Sequence, residues 1–164
     1  MEEIILNGEL ALCRPDGFEA MTAEEIRQAY GMDEKDKWAM VDKDRHMVLS
    51  VFWHVSGGFL SKLGDAGTVC KSTERTLSKE MRNNDYKLIG FQDRTICGME
   101  AKGFRHDYSI NGIAYVSDVN VVKKGTACYT VYAYTRKECE TENRPVLDGI
   151  LDGMRFKDDP SSSS

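Results

Sequence analysis

Residues 103–135 read "GFRHDYSINGIAYVSDVNVVKKGTACYTVYAYT". The stretch is rich in β-branched and aromatic residues and is broken at short intervals by turn signals, which is the pattern of strands. Asn111-Gly112 and Lys123-Lys124-Gly125 stand where tight hairpins would reverse the chain. "YKLIGFQD" (86–93) and "ICGMEAKGFRHDYSI" (96–110) extend the pattern upstream. The spacing predicts four strands over about residues 86–136, hairpin-linked into an antiparallel meander.

Helical periodicity frames this block. Ala66, Val69, Cys70, Thr73, Leu77 and Met81 recur on one stripe, with Lys71, Arg75, Lys79 and Arg82 opposite, which predicts a helix over 66–82. A last helix is expected over 144–154, with Val146, Leu147, Ile150, Leu151 and Met154 on one face and Asp148 and Asp152 on the other. Asn143 is placed to cap it, and Pro145 is tolerable in its first turn. Near the start, "GELALCRP" (8–15) reads as a strand stopped by Pro15. Thr22 and Glu25 then make a capping box, with Met21 and Ile26 as its staple, and Gly31 ends the short helix.

"WAMV" (38–41) and "HMVLSVFWHV" (46–55) read as strands joined by the charged turn "DKDR". The second is apolar on both faces, with Met47, Leu49, Val51 and Trp53 on one and Val48, Phe52 and His54 on the other. Such a strand is central and covered on both sides. The expected fold is therefore α+β: one antiparallel sheet flanked by helices on both faces, a three-layer α/β/α sandwich. A single domain over residues 1–157 is expected, followed by a polar, disordered tail at 158–164.

Composition narrows the function classes. The 164 residues are 41% hydrophobic and 30% charged, with a net charge of −5. The acidic balance argues against a general nucleic-acid binder and against anionic membrane surfaces. "MEEIILNGELALCRP" lacks the basic and apolar regions of a signal peptide, and no apolar stretch is long enough to span a bilayer. Cys13, Cys70, Cys97, Cys128 and Cys139 are odd in number, with no CxxC, which suits thiols in a reducing cytoplasm.

Catalytic patterns are weak. His106 and Asp107 in "FRHDY" are neighbours on a strand and so face opposite ways. His106 shares its face with Phe104 and Tyr108 and reads as a packed histidine. His54 and Ser56 share a face, but no GxSxG elbow surrounds Ser56. "SGGFLSKLGDAG" (56–67) matches neither phosphate-loop pattern and reads as a loop entering a helix. His46, His54 and His106 show no metal-ligand spacing, and "DEKDK" lacks the EF-hand rhythm, so neither metal nor cofactor is expected. The tyrosines stand out. Tyr132 and Tyr134 share a strand face with Cys128, Tyr115 belongs to the neighbouring strand, and Tyr129 points the other way. They are either core beneath the last helix or a surface for a partner, with Phe59 of the glycine-rich loop as an added contact.

Three segments carry a family resemblance: "RPDGFEAMTAEE" (14–25), "GMEAKGFRHDYSINGIAYVSDVNVVKKGTACYTVYAYT" (98–135) and "PVLDGILDGMRF" (145–156). In their order and spacing the chain resembles the Mog1/PsbP-like superfamily, and most closely its bacterial DcrB-like branch. The resemblance covers nearly the whole chain. It implies an α/β/α sandwich and a binding or assembly role, since members include a nuclear-transport regulator, photosystem subunits, envelope lipoproteins and chaperones of secreted effectors. The lipobox cysteine of the lipoproteins is missing, so that role is not carried over. The expected function is a non-enzymatic, cytoplasmic binding or adaptor module with a protein partner at Tyr115, Tyr132, Tyr134 and Phe59. The alternatives are a chaperone for a secreted or membrane-inserting polypeptide, and a small enzyme using His54 or His106.

Overall fold

The computed structural model describes residues 1–56 and 64–157; Phe59 and the tail at 158–164 lie outside the described residues. In chain order the elements are β1 (Glu2–Leu6), β2 (Leu10–Arg14), β3 (Glu19–Ala20), α1 (Ala23–Tyr30), β4 (Lys37–Asp42) and β5 (Met47–Val55). Then follow α2 (Ala66–Glu80), β6 (Lys87–Ile96), β7 (Met99–Ile110), β8 (Ile113–Lys124), β9 (Ala127–Arg136), α3 (Glu140–Asp152) and β10 (Arg155–Phe156). Seven strands form one antiparallel sheet in the order β3-β4-β5-β9-β8-β7-β6. The predicted meander is its larger half, from β6 to β9, and β5 pairs with β9 along its whole length.

Strand alternation sorts the core into two clusters. Tyr129, Val131 and Ala133 of β9 pack with Met47, Leu49 and Val51 of β5 and with Leu147, Ile150 and Leu151 of α3. Cys128 and Tyr132 leave β9 on the other side and pack with Phe104, Val119, Val121 and the Cys70–Leu77 stripe of α2. Burial of these side chains supplies the main driving force, roughly 1.5–3 kcal/mol for each large one.

Polar contacts fix where α3 sits. Asp118 of β8, fully buried, accepts a forked pair of bonds from Arg105 of β7, at 2.6 Å from Nε and 3.1 Å from Nη2. Arg144 of α3 donates to the same carboxylate and, at 2.7 Å, to Glu140. Gln92 of β6 reaches it at 3.4 Å. Four elements thus converge on one charge. Arg94 of β6 pairs with Asp148 and Asp152 on the outer side of α3.

Three features depart from the sequence reading. First, there are two sheets. The strand of "GELALCRP" pairs with β1 and with the Arg155-Phe156 strand in a separate three-stranded sheet, whose Leu10, Leu12 and Phe156 pack into the α3 cluster. The β1–β2 turn is Asn7-Gly8, at φ 51° and 69°. Second, "ICGMEAKGFRHDYSI" is not one strand. Cys97 and Gly98, at φ 57° and 72°, form a hairpin turn, so β6 runs on to Ile96. Third, α3 begins at Glu140, one turn earlier than the expected start. Asn143 is therefore not its cap. It lies buried within the helix, where its amide donates to the Arg45 carbonyl at 2.6 Å and to Thr135 Oγ1 at 2.8 Å, and Pro145 is inside the helix rather than in its first turn. The short helix α1 matches its reading: Thr22 Oγ1 accepts from the Glu25 amide, Glu25 returns the bond, and Gly31 closes the helix at φ 68°.

The two edges of the large sheet differ. β3 is only two residues long, whereas β6 has ten and carries a bulge between Leu88 and Gly90. Ile89 and Phe91 are exposed along it.

Removing the Asp118 charge leaves Arg105 without its carboxylate and Arg144 with Glu140 alone. Asp118→Asn is expected to lower stability by about 3 kcal/mol, since a broken buried ion pair is costly. Urea unfolding followed by circular dichroism measures this. A midpoint equal to wild type would show that the cluster does not hold α3.

Candidate functional site

The face of the sheet that carries α2 is only partly roofed. The end of α1 and the second half of α2 stand apart above it and leave a groove of about 470 Å³. Phe52 of β5, Tyr132 and Tyr134 of β9, Ser117 of β8 and His106 and Tyr108 of β7 line its floor. Tyr30 from α1 and Thr76, Leu77 and Glu80 from α2 make its walls. Met32 and Ile110, 53% and 43% exposed, form apolar lips. The alternation on β9 that sends Tyr129 into the α3 cluster is what sends Tyr132 and Tyr134 here.

Ring geometry gives the groove its shape. Tyr30 meets Phe52 edge to face, with centroids 5.1 Å apart and planes at 89°. Tyr132 lies 5.2 Å from Phe52 and is tilted by 57°. Along β7 a second set of rings stacks: Tyr86 on His106 at 5.0 Å, His106 on Tyr108 at 5.4 Å, and Tyr108 on Tyr115 at 5.2 Å. The Tyr108–Tyr115 pair follows from register, because the two residues are directly opposed on β7 and β8. The Tyr30 hydroxyl bonds Ser50 Oγ and, at 3.0 Å, the Tyr134 hydroxyl. This network holds the end of α1 to the sheet.

Burial disfavours the charged forms of the ring side chains that line the groove. It raises the Tyr30 and Tyr108 phenols and lifts Tyr134 well above the ordinary value. Tyr132 is pushed up to about 12, first by burial and then by the Glu80 carboxylate. His106, only 2% exposed, is pulled down to about 4 by loss of solvent, against the opposing pull of Asp107. It is an uncharged ring at neutral pH, and its Nδ1 makes no hydrogen bond.

Of the residues singled out from sequence, Tyr132 and Tyr134 line the groove, half-buried. Tyr115 continues the stacked row and is half-buried, outside the groove itself. Phe59 lies outside the described residues. The last helix does not cover these tyrosines; it packs in the other cluster. His106 is a wall of the groove, whereas His54 is exposed near the end of β5, opposite Cys128. With β9 and β8 between their strands, and with their paired positions on β8, Lys123 and Ser117, far apart along that strand, the two histidines stand roughly 24 Å apart at strand spacing. Glu80 and His106 both line the groove without a hydrogen bond between them, and no cluster of three metal-ligating side chains occurs among the described residues. Nor is any helix among the described residues long and apolar enough to cross a membrane. Sequence reasoning missed Tyr30, Phe52 and Glu80 as parts of one site. The signal for Tyr30 was present, an aromatic residue at the last turn of a well-capped helix, but nothing in the sequence says which strand it meets.

The buried neutral His106 has a stability signature. Below its unfolded pKa near 6.5 the unfolded chain binds a proton that the folded chain refuses until about pH 4. Stability therefore falls as pH falls through that window. Between pH 7 and pH 4.5 this group alone should cost about 2 kcal/mol. His106→Gln should flatten that part of a urea-unfolding series taken at pH 7, 5.5 and 4.5. An unchanged slope in the variant would mean that His106 takes up its proton at the same pH in the folded and the unfolded chain.

No protein-family model matches the chain, and no curated protein matches its sequence. Solved structures do share its fold. Cyanobacterial PsbP from Synechocystis sp. PCC 6803 is similar at 15% identity over 90% of this chain and 86% of that one, with a TM-score of 0.64. LpqN of Mycobacterium tuberculosis, involved in cell envelope biogenesis, is similar at 16% identity over 94% and 90% of the two chains, with a TM-score of 0.58. The Ran-binding protein Mog1p of Saccharomyces cerevisiae is similar at 9% identity over 94% of both chains, with a TM-score of 0.55. The fold is thus Mog1/PsbP-like, a mixed α+β arrangement around a large antiparallel sheet.

Proposed function

We propose that this chain is a non-enzymatic binding or adaptor module, a single three-layer α/β/α domain that holds a protein partner in the groove between α1 and α2. The observation that carries this reading is an aromatic floor left half-open to solvent, bordered by the exposed lips Met32 and Ile110. Tyrosine supplies large contact area with a polar tip and is enriched at the centres of interfaces. That a Ran-binding protein shares the fold is consistent with a protein partner.

In this reading Tyr132 and Tyr134 are the anchors, and Tyr115 extends the surface along β8. Phe59 belongs to the proposal on its sequence position ahead of α2. Kinship with the DcrB-like branch and a cytoplasmic location belong to the proposal and rest on the sequence resemblance and the odd number of cysteines.

The test compares affinity captures made with wild type, with a Tyr132→Ala, Tyr134→Ala double variant and with Thr76→Arg. Thr76→Arg adds bulk and charge to the groove wall from an exposed helical position and should leave the fold intact. A partner held by wild type is expected to be lost from both variants while their melting curves remain cooperative. Retention by Thr76→Arg at wild-type level would remove the groove from the binding reaction.

A further inference from the structure

We propose that the groove receives an arginine side chain of its partner, seated among Tyr30, Phe52 and Tyr132 with the Glu80 carboxylate at its rim. This rests on the reading of the groove as the partner-binding site. Three observations point to a cation rather than to a purely apolar anchor.

The first is ring orientation. Tyr30 stands perpendicular to Phe52, and Tyr132 is tilted from it by 57°, so the three rings form a corner rather than a flat stack. All three line the groove, and a cation over an aromatic face is attracted by its quadrupole. The guanidinium is planar and weakly hydrated, so it stacks on rings at little desolvation cost.

The second is charge. Glu80 is the one charged residue among the described residues that line the groove. It lies close enough to the Tyr132 ring to act on its phenol. The phenols and His106 are neutral at pH 7, and none of the basic residues of α2 lines the site. The chain as a whole carries a net charge of −5. Glu80 attracts an incoming cation and repels an anion, and the positive charge next to these rings, Lys37, lies outside the groove lining and is paired with Asp33 at 3.7 Å.

The third is a contact that the chain makes with itself. Lys37 Nζ lies 5.7 Å from the centroid of Phe52 while also bonding the Lys35 carbonyl at 3.0 Å. Lys37 does not line the groove. The same ring cluster thus already supports one ammonium at its border, and Tyr132 and Glu80 both line the groove itself.

A volume of about 470 Å³ is in the range of ligand sites and admits the arginine stem with flanking apolar groups against Met32 and Ile110. The experiment is an NMR titration of the full chain with n-butylguanidinium, its neutral isostere n-butylurea and the anion pentanoate. The expected result is saturable shifts at Tyr30, Phe52 and Tyr132, with the guanidinium binding about fivefold more tightly than the urea at low salt. Pentanoate should bind least. Glu80→Gln, an exposed substitution, should reduce the preference about threefold, as should 0.5 M NaCl. Equal binding of the guanidinium and the urea, tighter binding of pentanoate, or no shift at these rings would each overturn the proposal. If the capture experiment still shows a partner lost from Thr76→Arg, the groove remains the binding site and only the arginine is wrong. If Thr76→Arg retains the partner, the failure lies in the binding reading itself.

Discussion

Successive side chains of a strand must leave on opposite faces, and in this protein that constraint acts most sharply on β9. The strand is covered on both sides, so each of its residues is committed to one of two unlike layers. Tyr129, Val131 and Ala133 enter a closed core with α3 and the small sheet. Cys128 and Tyr132 face α2, which roofs its side incompletely. A slip of one residue between β5 and β9 would exchange these sets and place Tyr132 and Tyr134 under α3. The β9 and β5 part of the groove floor follows from that register, as does its separation from the polar cluster at Asp118.

Asp118 plays the complementary part. The α3 side of the sheet has a packed apolar layer, yet apolar packing alone allows a helix to slide. A buried carboxylate that draws donors from β6, β7 and α3 fixes α3 in one position. The groove side has no equivalent charge. There Tyr30, Ser50 and Tyr134 join through neutral hydroxyls, a softer tie between α1 and the sheet.

The sequence was legible where a local rule carried the information. The capping box at Thr22 and Glu25, the stripe of α2 and the Asn111-Gly112 hairpin each depend on residues a few positions apart, and each stands as read. The opposed directions of Tyr129 and Tyr132 were legible for the same reason. What escaped depended on distant partners or on untypical residues. Cysteine is not a turn signal, so Cys97-Gly98 was read through as strand. Asn143 looked like a cap because caps are its common use, whereas its partners, the Arg45 carbonyl and Thr135, come from the β4–β5 turn and β9. The small sheet needs Arg155 and Phe156 to return to Leu10 and Ala11 across most of the chain, which no window of sequence contains. Tyr132 and Tyr134 were readable as sharing one strand face, with core and contact surface both left open. That Tyr30, Phe52 and Glu80 complete it is a fact of tertiary packing alone.

The unequal edges of the large sheet bear on how the protein behaves when crowded. An open strand edge invites another chain to continue the ladder, and repeated addition makes fibres. At one end the sheet closes with the two-residue β3, too short to template a neighbour. At the other, β6 is long and bears Ile89 and Phe91 outward, a combination that favours sticking, but its bulge interrupts the regular spacing of hydrogen-bonding groups just there. Growth of the sheet is thus blocked at one end by length and at the other by geometry, and the protein can keep apolar residues on its rim without becoming the first layer of an aggregate.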